Sequence, residues 1–494
     1  MSNAALIANS GEARAGTRRR KRLRIGAIVA LCLGVIGGYL FFVFRSGESH
    51  WQRVLRQLDH DDPGWRLDEI EASRRVVPPE QNSARQINAV LALVIQPWPP
   101  SEEQDFDIVL LSLSPQVQLT ERALQILRSN LTKSRPALLA ARKLADMPYG
   151  RFAITYSADG VSTPFSHNQV ARQVTHLLRR DVLLRCAEGD IDGAVTSARA
   201  VLNSGRSYYD EPSLVAQLVR IALRGMALGS LEAALAQGEA SETALAGLEA
   251  VLSDEEAQPE LLIMARGDRA LMMRFVEELR AGKAPSVRGT FGKTASRFQI
   301  GNLDLEDMAY QFYLKSASDQ HAAFLEYVTE LVEIGRLPVE EQLASVAKWD
   351  SAKGSQPLFT QLVAPSMSAH ARFICLWQTV SRCAIAALAV ERYRLSHGGW
   401  PDSLDALVPA YLPRVPIDPY NGAPLRFVRK TDRVVVYSVG PDGQDDGGNV
   451  AKNPYKPGRD IGFRLWDVNR RRQRPTPWSA LRPLLWKSFA GSRP

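Results

Sequence analysis

Residues 391–448 read ERYRLSHGGWPDSLDALVPAYLPRVPIDPYNGAPLRFVRKTDRVVVYSVGPDGQDDGG, and no other stretch of the chain carries as much information about the fold. It contains the end of a helix, a Gly-Pro turn, a short helix and a series of proline-containing turns. Two runs rich in Val and aromatic residues follow, Leu425–Arg429 and Arg433–Ser438, with residues 430–432 between them. This spacing predicts a β-hairpin. A loop rich in Gly and Asp comes next, before a last apolar stretch at Ile461–Leu465.

Short motifs follow one another in a fixed order in this region. They are Tyr393, His-Gly-Gly-Trp-Pro at 397–401, Pro-Ile-Asp-Pro-Tyr-Asn-Gly at 416–422, Tyr-Ser-Val-Gly-Pro-Asp-Gly at 437–443 and Asp-Ile at 460–461. With this set, residues 384–466 resemble the C-terminal half of the major pseudopilin of type II secretion, protein G. The resemblance implies a small α+β module, which we place at 366–466 so that it includes the preceding helix.

Other features separate this chain from the pseudopilins. Proteins of that family begin with a prepilin-peptidase site, in which a Gly precedes a hydrophobic helix that contains a Glu at its fifth position. Here the apolar segment begins Ile25-Gly26-Ala27 and contains no Glu, and more than 300 residues separate it from the pseudopilin-like region. We therefore do not expect this protein to be processed and polymerised as a pseudopilin.

The pseudopilin resemblance also implies a calcium site in the loop before the last apolar stretch. Asp442 and Asp460 match acidic positions of the family motif, and Asp445 and Asp446 supply further carboxylates. Ca²⁺ takes about six to eight oxygen ligands, which carboxylates and the carbonyls of a Gly-rich loop provide. The spacing is not that of an EF-hand, so the calcium site depends on the resemblance, and a solvated acidic turn is the alternative. Asp418, by contrast, precedes a proline and is predicted to cap a turn.

The chain between residue 50 and this module is predicted to be helical almost throughout, so the fold class is mainly α. Residues 51–365 form the predicted helical body. Two of its helices meet at Glu188-Gly189-Asp190, which predicts a helical hairpin, although no second copy at a fixed period supports a repeat array. A long helix from about Ser368 to Ser396 then leads into the module. The body also resembles membrane-anchored helical proteins that are numerous in planctomycete-type bacteria, a likeness that adds lineage and no chemistry.

Residues 25–44 form an uncharged, apolar segment of twenty residues. As a helix this segment is about 30 Å long, which matches the hydrocarbon core of a bilayer. The basic tail at 1–24 precedes it, so the positive-inside rule predicts a cytoplasmic N-terminus and an extracytoplasmic remainder. A cleavable signal peptide is the alternative, but the apolar run is long and ends in aromatic rather than small residues. The sequence thus predicts a single-pass protein of the bacterial inner membrane with its bulk in the periplasm.

The composition is that of a globular protein, with 45% hydrophobic and 23% charged residues, and it excludes a wholly disordered chain. The net charge of +8 is concentrated at the two ends, with +6 at residues 1–24 and +7 at residues 464–494. The rest of the chain is therefore acidic, which argues against a nucleic-acid partner. The four cysteines lie in apolar helical patterns. Their spacing predicts buried free thiols rather than a disulfide framework or a zinc site.

The sequence contains no catalytic motif of the common hydrolase, nucleotide-binding or zinc-protease kinds, and we assign no catalytic residue. The leading hypothesis is a non-enzymatic scaffold or interaction protein of the cell envelope, with a protein partner and a relation to type II secretion or pilus-like machinery. An envelope hydrolase with a cleft in the helical body is the alternative. The basic, aromatic tail at 467–494 has two explanations of equal weight, a segment that lies on the membrane or on a partner, and a tail packed on the body.

Overall fold

The computed structural model describes residues 45–94, 113–281, 318–450 and 459–475, with isolated positions at 31, 34, 35, 38 and 283 and the backbone of two short strands at 299–300 and 303–304. Within these residues the protein is mainly helical and contains a small three-stranded antiparallel sheet, so the predicted fold class is confirmed at that level. The basic tail at 1–24 and most of the span at 25–44 lie outside the described residues.

The helices and strands are numbered here in chain order. The helices are α1 (45–61), α2 (Leu67–Ser73), α3 (Ser83–Leu91), α4 (Glu121–Lys133), α5 (Arg135–Arg142), α6 (Val170–Glu188), α7 (Ile191–Gly205), α8 (Leu214–Gln237), α9 (Glu242–Glu256), α10 (Glu260–Arg280), α11 (Ser318–Gly335), α12 (Val339–Ala352), α13 (Leu358–Val363) and α14 (Ser368–His397). The strands are β1 (Gln299–Ile300), β2 (Leu303–Asp304), β3 (Arg426–Arg429), β4 (Arg433–Ser438) and β5 (Ile461–Trp466).

The chain divides into two compact units. Unit 1 comprises Met1–Pro63, Val276–Tyr327 and Ser355–Ala364, and unit 2 comprises Gly64–Phe275, Val328–Gly354 and Pro365–Pro494.

In unit 1, α1 packs against the start of α11 at very short range. A Cβ atom at Gly47 would lie 2.9 Å from the backbone nitrogen of Asp319, so only a glycine permits this approach without a shift. One residue further, the Glu48 carboxylate accepts hydrogen bonds from Arg280 Nη2 at 2.6 Å and from Ser318 Oγ at 3.0 Å. The end of α10, the start of α11 and the first turn of α1 are therefore joined at one carboxylate.

His50 extends the contact between α1 and α11. Its Nδ1 lies 2.6 Å from Asp319 Oδ1, and its Nε2 lies 3.0 Å from Glu326 Oε1. Burial lowers the pKa of His50, but the hydrogen bonds with the two carboxylates outweigh it, and the net effect is a raised pKa. The stabilisation from this contact is therefore full below the unfolded pKa of about 6.5 and is lost as the pH rises through the folded pKa.

We expect the loss of melting temperature in a His50→Gln variant to be larger at pH 6 than at pH 9, because only protonated histidine donates to both carboxylates. Thermal melts of the wild-type and variant proteins at the two pH values measure this difference. An equal loss at both pH values would show that charge on His50 does not contribute to the contact.

Unit 2 is built around one continuous hydrophobic core to which α6, α7, α8, α14 and the sheet all contribute. The helices α6 and α7 form the predicted hairpin. Gly189 ends α6 with a φ of +83°, and Asp190 caps α7 by accepting a hydrogen bond from the backbone N–H of Gly193 at 2.9 Å. Gly is favoured where a helix ends in a residue of left-handed backbone conformation, and for this reason the turn could be predicted from the sequence.

The C-terminal elements follow the predicted order. The predicted strands at Leu425–Arg429 and Arg433–Ser438 are observed as β3 and β4, with β3 beginning one residue later. The last apolar stretch is a third strand, β5, and the three strands pair antiparallel in the order β3-β4-β5. The long helix α14 packs on β4 and β5, where the buried Cys383 thiol lies 3.9 Å from the carbonyl oxygen of Ile461.

Two helices of unit 2, α8 and α14, are long and apolar enough to cross a membrane by length and composition. In their most apolar windows, 61% of α8 and 89% of α14 are buried inside the protein. Packing in the core of unit 2 thus also explains why α8 and α14 are so apolar. The prediction of buried free thiols is confirmed for Cys186, Cys375 and Cys383. Cys32 lies outside the described residues.

The first residues of the C-terminal tail pack on the body. The guanidinium of Arg471 forms two hydrogen bonds with the buried carboxylate of Glu391 in α14, at 2.9 and 3.0 Å. The backbone N–H of Arg472 donates to the carbonyl of Ala236 at the end of α8. Residues 467–475 therefore pack on the body. Residues 476–494, which hold all three aromatic residues of the tail, lie outside the described residues, so both explanations of the tail stay predictions.

Candidate functional site

The loop between β4 and β5 contains the predicted calcium ligands, and Asp460 organises it. This buried carboxylate accepts three backbone hydrogen bonds, from Asp446 at 3.3 Å, Gly448 at 2.7 Å and Asn449 at 3.2 Å. Burial raises the pKa of Asp460, although the N–H donors oppose the rise. In the described arrangement Asp460 therefore holds the loop backbone.

Donors also engage Asp445 and Asp442 of the loop, while the Asp446 side chain is exposed. Asp445 Oδ2 lies 3.1 Å from Arg426 Nε, and its Oδ1 accepts a hydrogen bond from the Tyr437 hydroxyl at 3.1 Å. The exposed Asp442 accepts a hydrogen bond from the backbone N–H of Gln444 at 3.1 Å, which is a local turn. A calcium ion at Asp445 would have to compete with a guanidinium.

In the described arrangement, protein donors hold Asp445 and Asp460 of this loop. Within the described part of the chain, no group of three or more His, Cys, Asp or Glu side chains is arranged to hold a metal. The calcium site at Asp442, Asp445, Asp446 and Asp460 therefore stays a prediction from the pseudopilin resemblance, and we build no mechanism on it.

The resemblance predicts that Ca²⁺ raises the melting temperature of the protein and that Mg²⁺ does not, because the larger ion accepts an irregular set of oxygen ligands. Melts of the purified chain with Ca²⁺, with Mg²⁺ and with a chelator measure this effect. The rise should be absent in an Asp442→Ala variant. Identical melts of the native chain under all three conditions would refute the site.

Asp418 has the structural role that the sequence predicts. Its side chain is fully buried and accepts hydrogen bonds from the Ser438 hydroxyl at 2.8 Å, from the Tyr420 N–H at 3.0 Å and from the Val439 N–H at 3.2 Å. One carboxylate thus fixes the turn after the proline-containing segment and joins it to the end of β4.

A cavity of about 430 Å³ lies in unit 2 between α6 and α8. Its size falls within the range of small-molecule sites, about 300–1,000 Å³. The charged side chains on its wall include His176, Arg179, Arg180, Glu232, Arg464 and Arg472.

The carboxylate on the α8 side of this cavity is ion-paired. Glu232 binds Arg464 of β5 through two hydrogen bonds, at 2.7 and 2.9 Å. Arg472 donates to the carbonyls of Cys186 and Ala187 at the end of α6, at 3.2 and 3.1 Å. Of the two glutamates on the wall, Glu121 of α4 and Glu232, the latter is thus held by an arginine.

A polar cluster of unit 2 is buried between its helices. Arg220 of α8 forms two hydrogen bonds with Glu255 of α9, at 2.9 and 2.7 Å, and Arg206 reaches the same carboxylate at 3.2 Å. One turn further along α8, Arg224 binds Glu260 of α10 at 2.7 and 3.1 Å. All five side chains are almost completely buried. We name these five residues the buried arginine–glutamate cluster.

The two carboxylates of the cluster differ in their pKa. Burial raises the pKa of Glu255, but the charges of Arg220 and Arg206 and a hydrogen bond from Arg220 outweigh it, and the pKa is about 2. Glu260 has a raised pKa, because burial outweighs the charge of Arg224. The two arginines therefore hold Glu255 ionised at neutral pH.

His167 and Glu211 form a second His–carboxylate pair. The Nε2 atom of His167 lies 2.8 and 3.1 Å from the two carboxylate oxygens of the buried Glu211. The Tyr208 hydroxyl donates to the backbone carbonyl of His167 at 2.8 Å, and the ring of Phe152 lies 4.8 Å from the imidazole. A histidine oriented by a carboxylate is the arrangement of a general base, although here it also ties the segment before α6 to the turn before α8.

The sequence did not indicate the position of the cavity or either of these charged groups, since the partners in the groups are separated by 35 to 49 residues. Glu211 and His167 carry no motif that would have joined them. No family model, curated protein or solved structure matches this chain.

Proposed function

We propose that this protein is a non-enzymatic scaffold or interaction protein of the bacterial cell envelope. Residues 25–44 anchor it in the inner membrane as a single span, residues 1–24 lie in the cytoplasm, and the helical body and the C-terminal module lie in the periplasm. Its partner is another envelope protein, and the pseudopilin-like module at 366–466 relates it to type II secretion or pilus-like machinery.

The observation that carries this proposal is that buried carboxylates on several helices are paired with arginines. In the buried arginine–glutamate cluster every carboxylate is bound by arginine, and the same is true of Asp181, which Arg142 and Arg185 bind at 2.5 and 3.1 Å. Glu391 is bound by Arg394 and Arg471. Such pairs tie neighbouring helices together, and removal of one partner leaves an uncompensated buried charge.

The C-terminal module supports the relation to pilus-like machinery. A long helix packed on a small antiparallel sheet agrees with the α+β module that the motifs imply. The motifs carry this likeness, and modules of this kind serve unrelated functions in different proteins. The identity of the machine is therefore the part of the proposal that depends most on the resemblance.

An envelope hydrolase remains the second candidate, and two observations favour it. The cavity between α6 and α8 is large enough for a small substrate, and the His167–Glu211 pair has the geometry of an oriented base. This candidate requires His167 for function, whereas a scaffold requires it only for the fold.

Site-specific photo-crosslinking in the native bacterial host tests the scaffold. A photoreactive amino acid at the exposed positions Lys430 and Gln444 of the module should give one discrete adduct with an envelope protein. The exposed Glu80 of the body is the control position and should give no such adduct. Absence of adducts at Lys430 and Gln444, together with loss of cellular function in a folded His167→Gln variant, would favour the hydrolase and refute the scaffold.

A further inference from the structure

Leu358 and Leu362 form an exposed apolar pair on α13 in unit 1. Their exposed fractions are 45% and 38%, whereas Phe359 and Val363 of the same helix are buried. Residues four apart on a helix share one face, so the two leucines present a continuous apolar strip. No charged residue occurs in the stretch Ser355–Ala364.

The start of α1 gives the position of the proposed membrane surface relative to unit 1. The apolar segment ends at Phe44, and the structure describes a helix from residue 45 onward. Gly47 is three residues beyond Phe44, which corresponds to about 4.5 Å along the helix. Because the polar layer on each side of the hydrocarbon core is about 5–8 Å thick, Gly47 lies in that layer if residues 25–44 span the bilayer.

The first turn of α11 lies at the same level as Gly47. The close approach of Gly47 to Asp319 and the hydrogen bond from Ser318 to Glu48 both bring the start of α11 to the first turn of α1. Gly47 and Glu48 meet the start of α11, and His50, further along α1, reaches Glu326, further along α11, so the two helices run in the same direction.

The helix α13 is attached to this first turn of α11. The backbone N–H of Phe359 donates to Gln320 Oε1 at 3.1 Å, and the ring of Phe359 packs edge-to-face on that of His321 at 4.8 Å. A helix of six residues is only about 9 Å long, so its exposed leucines stay close to the level of Gly47.

We propose that Leu358 and Leu362 insert into the interfacial layer of the lipid bilayer and give unit 1 a second contact with the membrane beside the span. The occupant of the apolar strip is lipid, since the strip is uncharged and lies close to the level at which the proposed span ends, where an apolar helix face is buried at the boundary of headgroups and acyl chains. The inference rests on the proposed anchorage of residues 25–44.

Depth-dependent quenching of the full-length protein in lipid nanodiscs tests the inference. Single cysteines labelled with an environment-sensitive fluorophore are placed at Leu358 and Leu362, with Arg45→Cys as the reporter of the anchor and Gln57→Cys as the distant control. All four positions are exposed, so the labelled variants should fold. Gln57 lies about 15 Å beyond Gly47 along α1. A Cys32→Ser background removes the cysteine of the apolar segment.

Lipids with spin-labelled acyl chains should quench the labels at 45, 358 and 362 at least twice as strongly as the label at 57. If the label at 45 is quenched but the labels at 358 and 362 are quenched no more than the label at 57, the second membrane contact is overturned and the anchor at residues 25–44 still stands. Absence of quenching at 45 would overturn both. If neither the spin-labelled lipids nor iodide, an aqueous quencher, quenches the labels at 358 and 362, protein covers the strip. That result would also overturn the inference.

Discussion

A Glu255→Gln variant is expected to lose about 3–5 kcal/mol of the free energy of unfolding, because it leaves the guanidinium groups of Arg220 and Arg206 buried beside a neutral amide. The native carboxylate receives two hydrogen bonds from Arg220 and one from Arg206. Urea unfolding of the variant and the wild-type protein at neutral pH measures the loss.

The pH dependence of this loss has a definite sign. The pKa of Glu255 is about 2 in the folded protein, whereas an unfolded glutamate titrates near its ordinary value of about 4.3. The unfolded chain binds more protons between these two values, so the contribution of Glu255 is complete above about pH 4.3 and falls as the pH falls towards 2. The stability difference between wild type and variant should therefore shrink over that interval.

The matched control is Glu333→Gln. Glu333 binds Arg336 at 3.0 Å on the surface of α11, and both side chains are largely exposed. Exposed pairs contribute about 0–1 kcal/mol, so this variant should be nearly as stable as the wild type. Equal effects of the two substitutions would contradict the structural role of the buried arginine–glutamate cluster and would reopen it as a site of chemistry.

Replacing Asp418 by Ala should cost about 2–4 kcal/mol, since three buried donors lose a charged acceptor at once. The effect should be local to the C-terminal module, where Asp418 joins the turn to Ser438 and Val439. Hydrogen exchange followed by mass spectrometry should show faster exchange in β4 and in residues 416–422 than in α6.

Asp442→Ala is the matched control for this second substitution. Asp442 is exposed and accepts one local hydrogen bond, from the backbone of Gln444. Without calcium we expect its stability to change by less than about 0.5 kcal/mol. A wild-type exchange pattern in the Asp418→Ala module would mean that the buried carboxylate does not organise the fold.

The elements that the sequence predicted are those with local signals. Gly189 and Asp190 mark a helix end and a helix start within two residues, and the observed hairpin of α6 and α7 turns there. The three residues between β3 and β4 likewise suit a hairpin, which was found within one residue of its predicted bounds. In each case the backbone geometry is determined by neighbours in the chain.

The parts that escaped prediction depend on partners distant in the chain. Arg220, Arg224 and Glu255 stand in helical patterns where charged residues are usually solvated, and only the packing of α8 against α9 and α10 makes them buried. Glu232 meets Arg464 across 232 residues, so the cavity wall had no local signal either. The last apolar stretch lacked a paired neighbour in sequence and was identified as a strand only from its pairing with β4.

The proposal depends most directly on the orientation of the chain in the membrane, which cysteine labelling measures. In a Cys32→Ser background the cysteines at 186, 375 and 383 are buried, so a membrane-impermeant maleimide reports on introduced cysteines alone. In intact spheroplasts, Gln444→Cys should be labelled and Ser10→Cys should be labelled only after lysis. Labelling of Ser10→Cys alone, or recovery of a shortened chain in the soluble fraction, would contradict a periplasmic body held by an uncleaved anchor at residues 25–44.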